Sequence, residues 1–153
     1  MDTFFEEYLS RLHELLTDIE KSLEGLPQEA IDWQPQSGMN SLSVLVVHLT
    51  GSARYWIGDV GMGDPSNRNR EAEFRVKGLQ VEALSLRLRE LEAYARAALE
   101  KLHLADLEMN RILPGERRQY TVAYALLHAL EHTALHTGHI QLTRQLWQLR
   151  LSS

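Results

Sequence analysis

Cysteine is absent from all 153 positions, which excludes disulfides, thiolate zinc sites and a cysteine nucleophile. Any thiol chemistry on this chain needs a thiol supplied from outside. A positive charge excess is missing too: 16 Lys+Arg against 21 Asp+Glu give a formal charge of −5 and a pI near 5.8. The two signs are interspersed, and the nearest approach to a basic cluster, RNREAEFR at 68–75, is interrupted by its own acids. A nucleic-acid partner is therefore not expected. No apolar run approaches the roughly 18 residues of a membrane span. The start, MDTFFEEYLSRL, has no basic flank before an apolar segment, so no signal peptide is read there and a cytoplasmic protein is expected. Solenoid repeats and low-complexity tracts are also lacking. A chain of this length can hide roughly 68–70% of its unfolded surface in one core, and a single domain over 1–153 is expected.

What is present is helical periodicity. Phe5, Leu9, Leu12, Leu16, Ile19 and Leu23 recur at steps of three and four, which predicts a helix over 3–23 closed by Gly25 and Pro27. The stretch PQEAIDWQPQSGMN reads as an ordered loop, with or without a short turn of helix, and with Trp33 plugging one end of the core. Asn40 or Ser41 caps a second helix running to about Gly58 or Gly61, with Leu42, Leu45, Val46, Leu49 and Ala53 inward. His48 lies between the Leu45 and Leu49 directions and so faces inward or nearly so. GDVGMGDPSNRNREAEFRVKG reads as a long loop of the lid or binding type. Val81, Leu84, Leu88, Leu91, Ala95, Ala98 and Leu102 predict a third helix within 79–102. Residues 104–120, with the pair Pro114-Gly115, read as a small hairpin or an irregular link. Thr121 caps the last helix, which carries Val122, Ala125, Leu126, Ala129, Leu130, Ile140, Leu142 and Leu146 along with its histidines, and Gly138 is expected to serve close packing of a neighbouring backbone or ligand there. Four long helices around one core predict an all-α, antiparallel four-helix bundle.

The last helix carries the chemistry. His128, His132, His136 and His139 fall within HALEHTALHTGH at spacings of 4, 4 and 3, which on a helix is one stripe about 80° wide. A rise of about 1.5 Å per residue sets His132 and His136 about 6 Å apart along the axis. Both rings can then reach one metal ion, with a third ligand from elsewhere, and His48 is the inward candidate. Imidazoles inside a bundle need partners, since each unpaired buried polar group costs about 1–3 kcal/mol. A divalent ion is such a partner, and three neutral imidazoles suit Zn, Ni, Fe or Cu while leaving a position open for water or substrate. The expected ligands are His48, His132 and His136, with His128 and His139 as pocket residues or alternates. His13 and His103 stand outside the column. A carboxylate-bridged pair of metals does not fit, because Glu131 has the wrong spacing. Nor is this HExxH, since Thr133 follows His132.

WQPQSGMNSLSVLVVHLTGSARYW, followed far downstream by TVAYALLHALEHTALHTGHIQLTRQL, resembles the DinB/YfiT-like superfamily of metalloenzymes over nearly the whole chain. The resemblance implies an up-down-down-up bundle, commonly dimeric. It also implies a mononuclear Zn or Ni site held by one histidine of helix two and an HxxxH pair of helix four, which match His48, His132 and His136. Many members follow the second histidine of the pair with Arg-Gly-Gln, where this chain has Thr137-Gly138-His139, so an imidazole replaces an amide. Relatives include transferases using low-molecular-weight thiols such as bacillithiol or mycothiol, and a maleylpyruvate isomerase. The leading expectation is a thiol-dependent S-transferase acting on small electrophiles, in which the ion activates the thiol. Tyr55, Trp56, Tyr124 and His139 are expected to wall the pocket and Arg54 to anchor an anionic thiol or substrate, in a homodimer. The alternatives are a hydrolase using metal-activated water, with His139 or His128 as general base, or a metal-binding stress-response module without turnover.

Overall fold

The computed structural model describes residues 1–112 and 118–150. Its order is α1 (Thr3–Leu23), α2 (Gln28–Asp32), α3 (Leu42–Arg54) prolonged by a π-helical stretch (Tyr55–Met62), α4 (Arg70–Glu73) and α5 (Val81–Leu99). A 3₁₀ turn (Leu104–Glu108), the strands β1 (Asn110–Ile112) and β2 (Gln119–Thr121), and α6 (Val122–Arg150) complete it. The amphipathic stripe of α1 is the expected one, and Gly25 supplies the left-handed turn at φ +71° that ends it. Ser41 rather than Asn40 caps α3, its hydroxyl accepting from Val44 N at 3.3 Å. Thr121 caps α6 in the same way, accepting from Tyr124 N at 3.1 Å.

Side-chain pairs give the helix directions. His13 meets Glu92 and Glu20 meets Arg89, so α1 and α5 are antiparallel. Arg144, near the end of α6, donates to the carbonyls of Lys21 and Ser22 at the end of α1, so these two helices run together. His48 meets His132 and His136 while Trp56, further along, meets His128 and Tyr124 further back, so α3 and α6 are antiparallel. The result is an up-down-down-up four-helix bundle, with one apolar cluster drawing on α1, α3, α5 and α6.

Three departures from the periodic reading matter for the site. On α6 the inward face beyond Ala129 is Thr133, Thr137, Ile140, Thr143 and Trp147. The threonine hydroxyls donate to the carbonyls four residues back, at 2.7 Å for Thr133, 2.9 Å for Thr137 and 2.8 Å for Thr143, so small polar side chains enter the core satisfied. Gly138, expected at a close approach, is exposed, and a Cβ built on it meets nothing within 4 Å; Leu142 likewise points outward. The presumed loop over 58–78 is partly helix. Its first turn continues α3 with wider, π-type winding, and α4 is started within it by Asn69, whose side chain accepts from Ala72 N at 3.1 Å.

Trp33 packs edge-on against Trp147 at 5.5 Å under the Arg150 guanidinium, closing one end of the bundle. The 104–120 link is a hairpin at its base, Asn110 opposite Thr121, while Pro114-Gly115 lies outside the described residues. Among the described residues no helix is long and apolar enough to cross a membrane.

Candidate metal centre

Position 48 lies on the buried side of α3, two turns from the Ser41 cap, and His48 is 6% exposed. Antiparallel packing carries it to the middle of α6, where its ring centroid lies 5.0 Å from that of His132 and 5.1 Å from that of His136. One ring nitrogen from each of the three lies within 4.8 Å of the other two. Nitrogens sharing one tetrahedral ion are about 3.4 Å apart, so the rings stand little more than an ångström from closing on one. Nδ1 of His132 is buried with no hydrogen-bond partner among the described residues.

The electrostatics keep two of these rings, His132 and His136, unprotonated. Burial, then the proximity of His136, His48, His128 and Arg68, pushes His132 down to about 3. Burial, then His48 and His139, pushes His136 down to about 4. At neutral pH both are uncharged with lone pairs available, the form in which imidazole binds metal.

The remaining histidines extend the column in both directions. His139 Nδ1 is 3.3 Å from His136 Nδ1, and beside it an apolar cleft of about 230 Å³ is lined by Met39, Leu45, His139, Leu142 and Leu146. At the other end His128 packs on Trp56 with centroids 4.4 Å apart and stacks parallel to Tyr124 at 5.8 Å. Trp56 and Tyr124 thus stand at one end of the histidine column. Tyr55 packs on Trp56 at 5.7 Å.

Arg54 is not brought to the histidines. Its guanidinium lies over the Tyr94 ring, 2.9 Å from Asp64 and 3.3 Å from Asp59, in a separate cleft of about 360 Å³ between α3 and α5. Its charge is already met by two carboxylates, which leaves little for an anionic ligand. Gly58 makes this placement possible, since a Cβ there would fall 1.7 Å from Arg54 Nη1.

Periodicity missed what lies behind His48. Nδ1 of His48 bonds Glu73 Oε2 at 2.9 Å, and Arg68 grips both oxygens of that carboxylate, Nε to Oε1 at 2.6 Å and Nη2 to Oε2 at 2.8 Å. Phe74 covers the same ring at 4.7 Å. All three come from the interrupted basic stretch, which carries no period. The available signal was Gly51: a glycine inside an apolar helix marks a place where something approaches closely.

A family model described as mycothiol S-transferase matches residues 7–148. Among curated proteins no match is found. A conserved protein from Enterococcus faecalis superposes with TM-score 0.74 at 16% identity, covering 92% of this chain and 95% of that one. YfiT from Bacillus subtilis, described as a probable metal-dependent hydrolase with an unusual four-helix bundle topology, gives TM-score 0.74 at 16% identity over 95% and 88% of the two chains. A mycothiol-dependent maleylpyruvate isomerase gives TM-score 0.65 at 14% identity over 88% of this chain and 59% of that longer one. These likenesses concern the fold, and the family match covers nearly all of the sequence: the chain belongs to the mycothiol S-transferase family, within the DinB/YfiT-like superfamily.

Proposed function

We propose that His48, His132 and His136 hold one divalent ion, Zn or Ni, and that the protein is a metal-dependent transferase joining a low-molecular-weight thiol to a small electrophile. The observation that carries this is the convergence of three imidazoles from two helices, two of them held neutral and one, His132, with a buried Nδ1 that has no partner among the described residues. Three imidazole nitrogens match the donor preference of these ions. A bound ion would supply acidity, favouring the thiolate form of an incoming thiol. The chain's own residues do the rest. Trp56 and Tyr124 wall one end of the column, and the cleft beside His139 offers an apolar seat for the electrophile. The lack of cysteine fits a thiol brought in as co-substrate.

Hydrolysis is the second reading, favoured by the single observation that His139 stands 3.3 Å from His136, where an imidazole can take a proton. Purified metal-loaded protein, assayed with mycothiol, bacillithiol and glutathione against alkylating electrophiles and model esters, separates the readings. Turnover that requires added thiol is expected, falling at least about 100-fold in His48→Ala, since even outer-shell changes cost about 10–100-fold. Ester or amide cleavage without thiol would replace transfer by hydrolysis, and no turnover in either assay would leave a binding module.

A homodimer completes the proposal. Leu127, Leu135, Leu142 and Leu149 are 59%, 56%, 50% and 63% exposed on the outer face of α6, the last three at seven-residue intervals. Gly138, open above its Cα, lies on the same face. A leucine seam of this period is self-complementary with a second copy of itself. Leu135→Glu is expected to convert the dimer to a monomer in sedimentation velocity, and a wild-type chain that sediments as a monomer would end this part of the proposal.

A further inference from the structure

Resting on the metal reading above, we infer that Glu73, braced by Arg68, is a positioning residue that fixes the His48 ring for the ion. The side chains of His48 and Glu73 are each 8% exposed, so their 2.9 Å contact is made out of reach of bulk water. A carboxylate accepts and cannot donate. Arg68 Nη2 also reaches Nδ1 of His48, but at 3.5 Å against 2.9 Å for the carboxylate oxygen, so the shorter contact sets Nδ1 as the nitrogen that carries the hydrogen, and Nε2 is left able to meet a cation. A ligating histidine whose second nitrogen is held by a carboxylate has its tautomer and ring orientation set in advance.

Glu73 is itself held on every side that matters. The Arg68 fork matches both carboxylate oxygens, the geometry in which guanidinium and carboxylate pair most firmly. It also supplies the positive charge that a carboxylate at this depth requires. Phe74, next in sequence, packs against the imidazole at 4.7 Å and carries the Arg70 guanidinium over its own ring. Room for the carboxylate comes from Gly51. A Cβ at that position would lie 2.4 Å from Glu73 Oε1 and 3.1 Å from Cδ, so any larger residue must displace the carboxylate from its place between Arg68 and His48. Alanine is the better helix former, yet this helix carries glycine there. The segment that joins α3 to α5 is thus a clamp on one ligand.

The test compares wild type with Glu73→Gln, Glu73→Ala and Gly51→Ala, reading the Zn(II) dissociation constant by chelator competition and the nitrogen-15 shifts of the His48 ring in metal-free protein. The amide of Glu73→Gln keeps the shape but both donates and accepts, so the tautomer is no longer dictated. The wild-type ring is expected as the Nδ1–H form, with mixed forms in Glu73→Gln. Zn(II) affinity should fall about 10-fold in Glu73→Gln and about 10–100-fold in Glu73→Ala and Gly51→Ala, with helical circular dichroism unchanged in Glu73→Gln. Affinity within about 2-fold of wild type in both Glu73 variants, or a wild-type ring protonated on Nε2, overturns the clamp. If wild type takes up no Zn(II) or Ni(II), the metal reading fails by itself, and the tautomer comparison still decides the role of Glu73.

Discussion

His48→Ala, His132→Ala and His136→Ala are each expected to leave purification nearly free of metal, with Zn(II) affinity down at least about 100-fold. The floor follows from what outer-shell substitutions already cost, about 10–100-fold. Removing a donor takes away a bond as well as its orientation. The three variants should also be equivalent to one another, because two imidazoles on one helix cannot hold the ion without the third from α3. His128→Ala and His139→Ala provide the contrast. His128 is engaged with Trp56 and Tyr124, and His139 is exposed beside His136, outside the convergent three. Both should keep most of their metal. Elemental analysis after dialysis, followed by chelator competition, reads the outcome, and unchanged metal in all three ligand variants would end the proposal.

Acid should weaken the metal-free protein well before ordinary carboxylates titrate. In the fold His132 and His136 are pushed down to about 3 and about 4, against an ordinary value of 6.5. Unfolding restores both to that ordinary value, so between these limits the unfolded chain binds more protons than the folded one, and stability must rise with pH. The contribution is fully present above about pH 7 and is lost progressively as pH falls through 6.5 toward 4. The urea midpoint of metal-free protein is therefore expected to be lower at pH 5.5 than at pH 7.5, a window chosen above the carboxylate range. His132→Ala lowers the midpoint at both values, since it empties part of the interior, but flattens its pH dependence. Equal slopes for wild type and variant would show that the ring is not shielded as its burial implies. The same shielding keeps the two rings available to a cation in mildly acidic solution, where an exposed histidine would already be protonated.

Much of the architecture was legible because its signals are local. The stripe from Phe5 to Leu23, the turn at Gly25 and the cap at Thr121 each depend on neighbours within a few residues, and each stands in the structure as expected. Where periodicity misled, a different term had won. Leu142 fits the apolar rhythm of α6 yet points outward, since threonines at 133, 137 and 143 satisfy their own hydroxyls on the helix and so take the inner face. Arg54, the last residue of α3 and six residues on from His48, is drawn aside by Asp59, Asp64 and the face of Tyr94. An ion pair already formed leaves little charge for an incoming anion.

The sequence by itself determined that four imidazoles share one side of the last helix and that a fifth faces inward from another, because a helix fixes direction at about 100° per residue. Tertiary structure decided which of them meet. Antiparallel packing of α3 on α6 brings residue 48 level with 132 and 136, and leaves 128 with the aromatic rings and 139 at the cleft. It also decided what stands behind the site. Arg68 and Glu73 belong to a stretch without period, and no local rule says where such a segment lands; the space over Gly51 and the buried nitrogen of His48 give its carboxylate a place to bind.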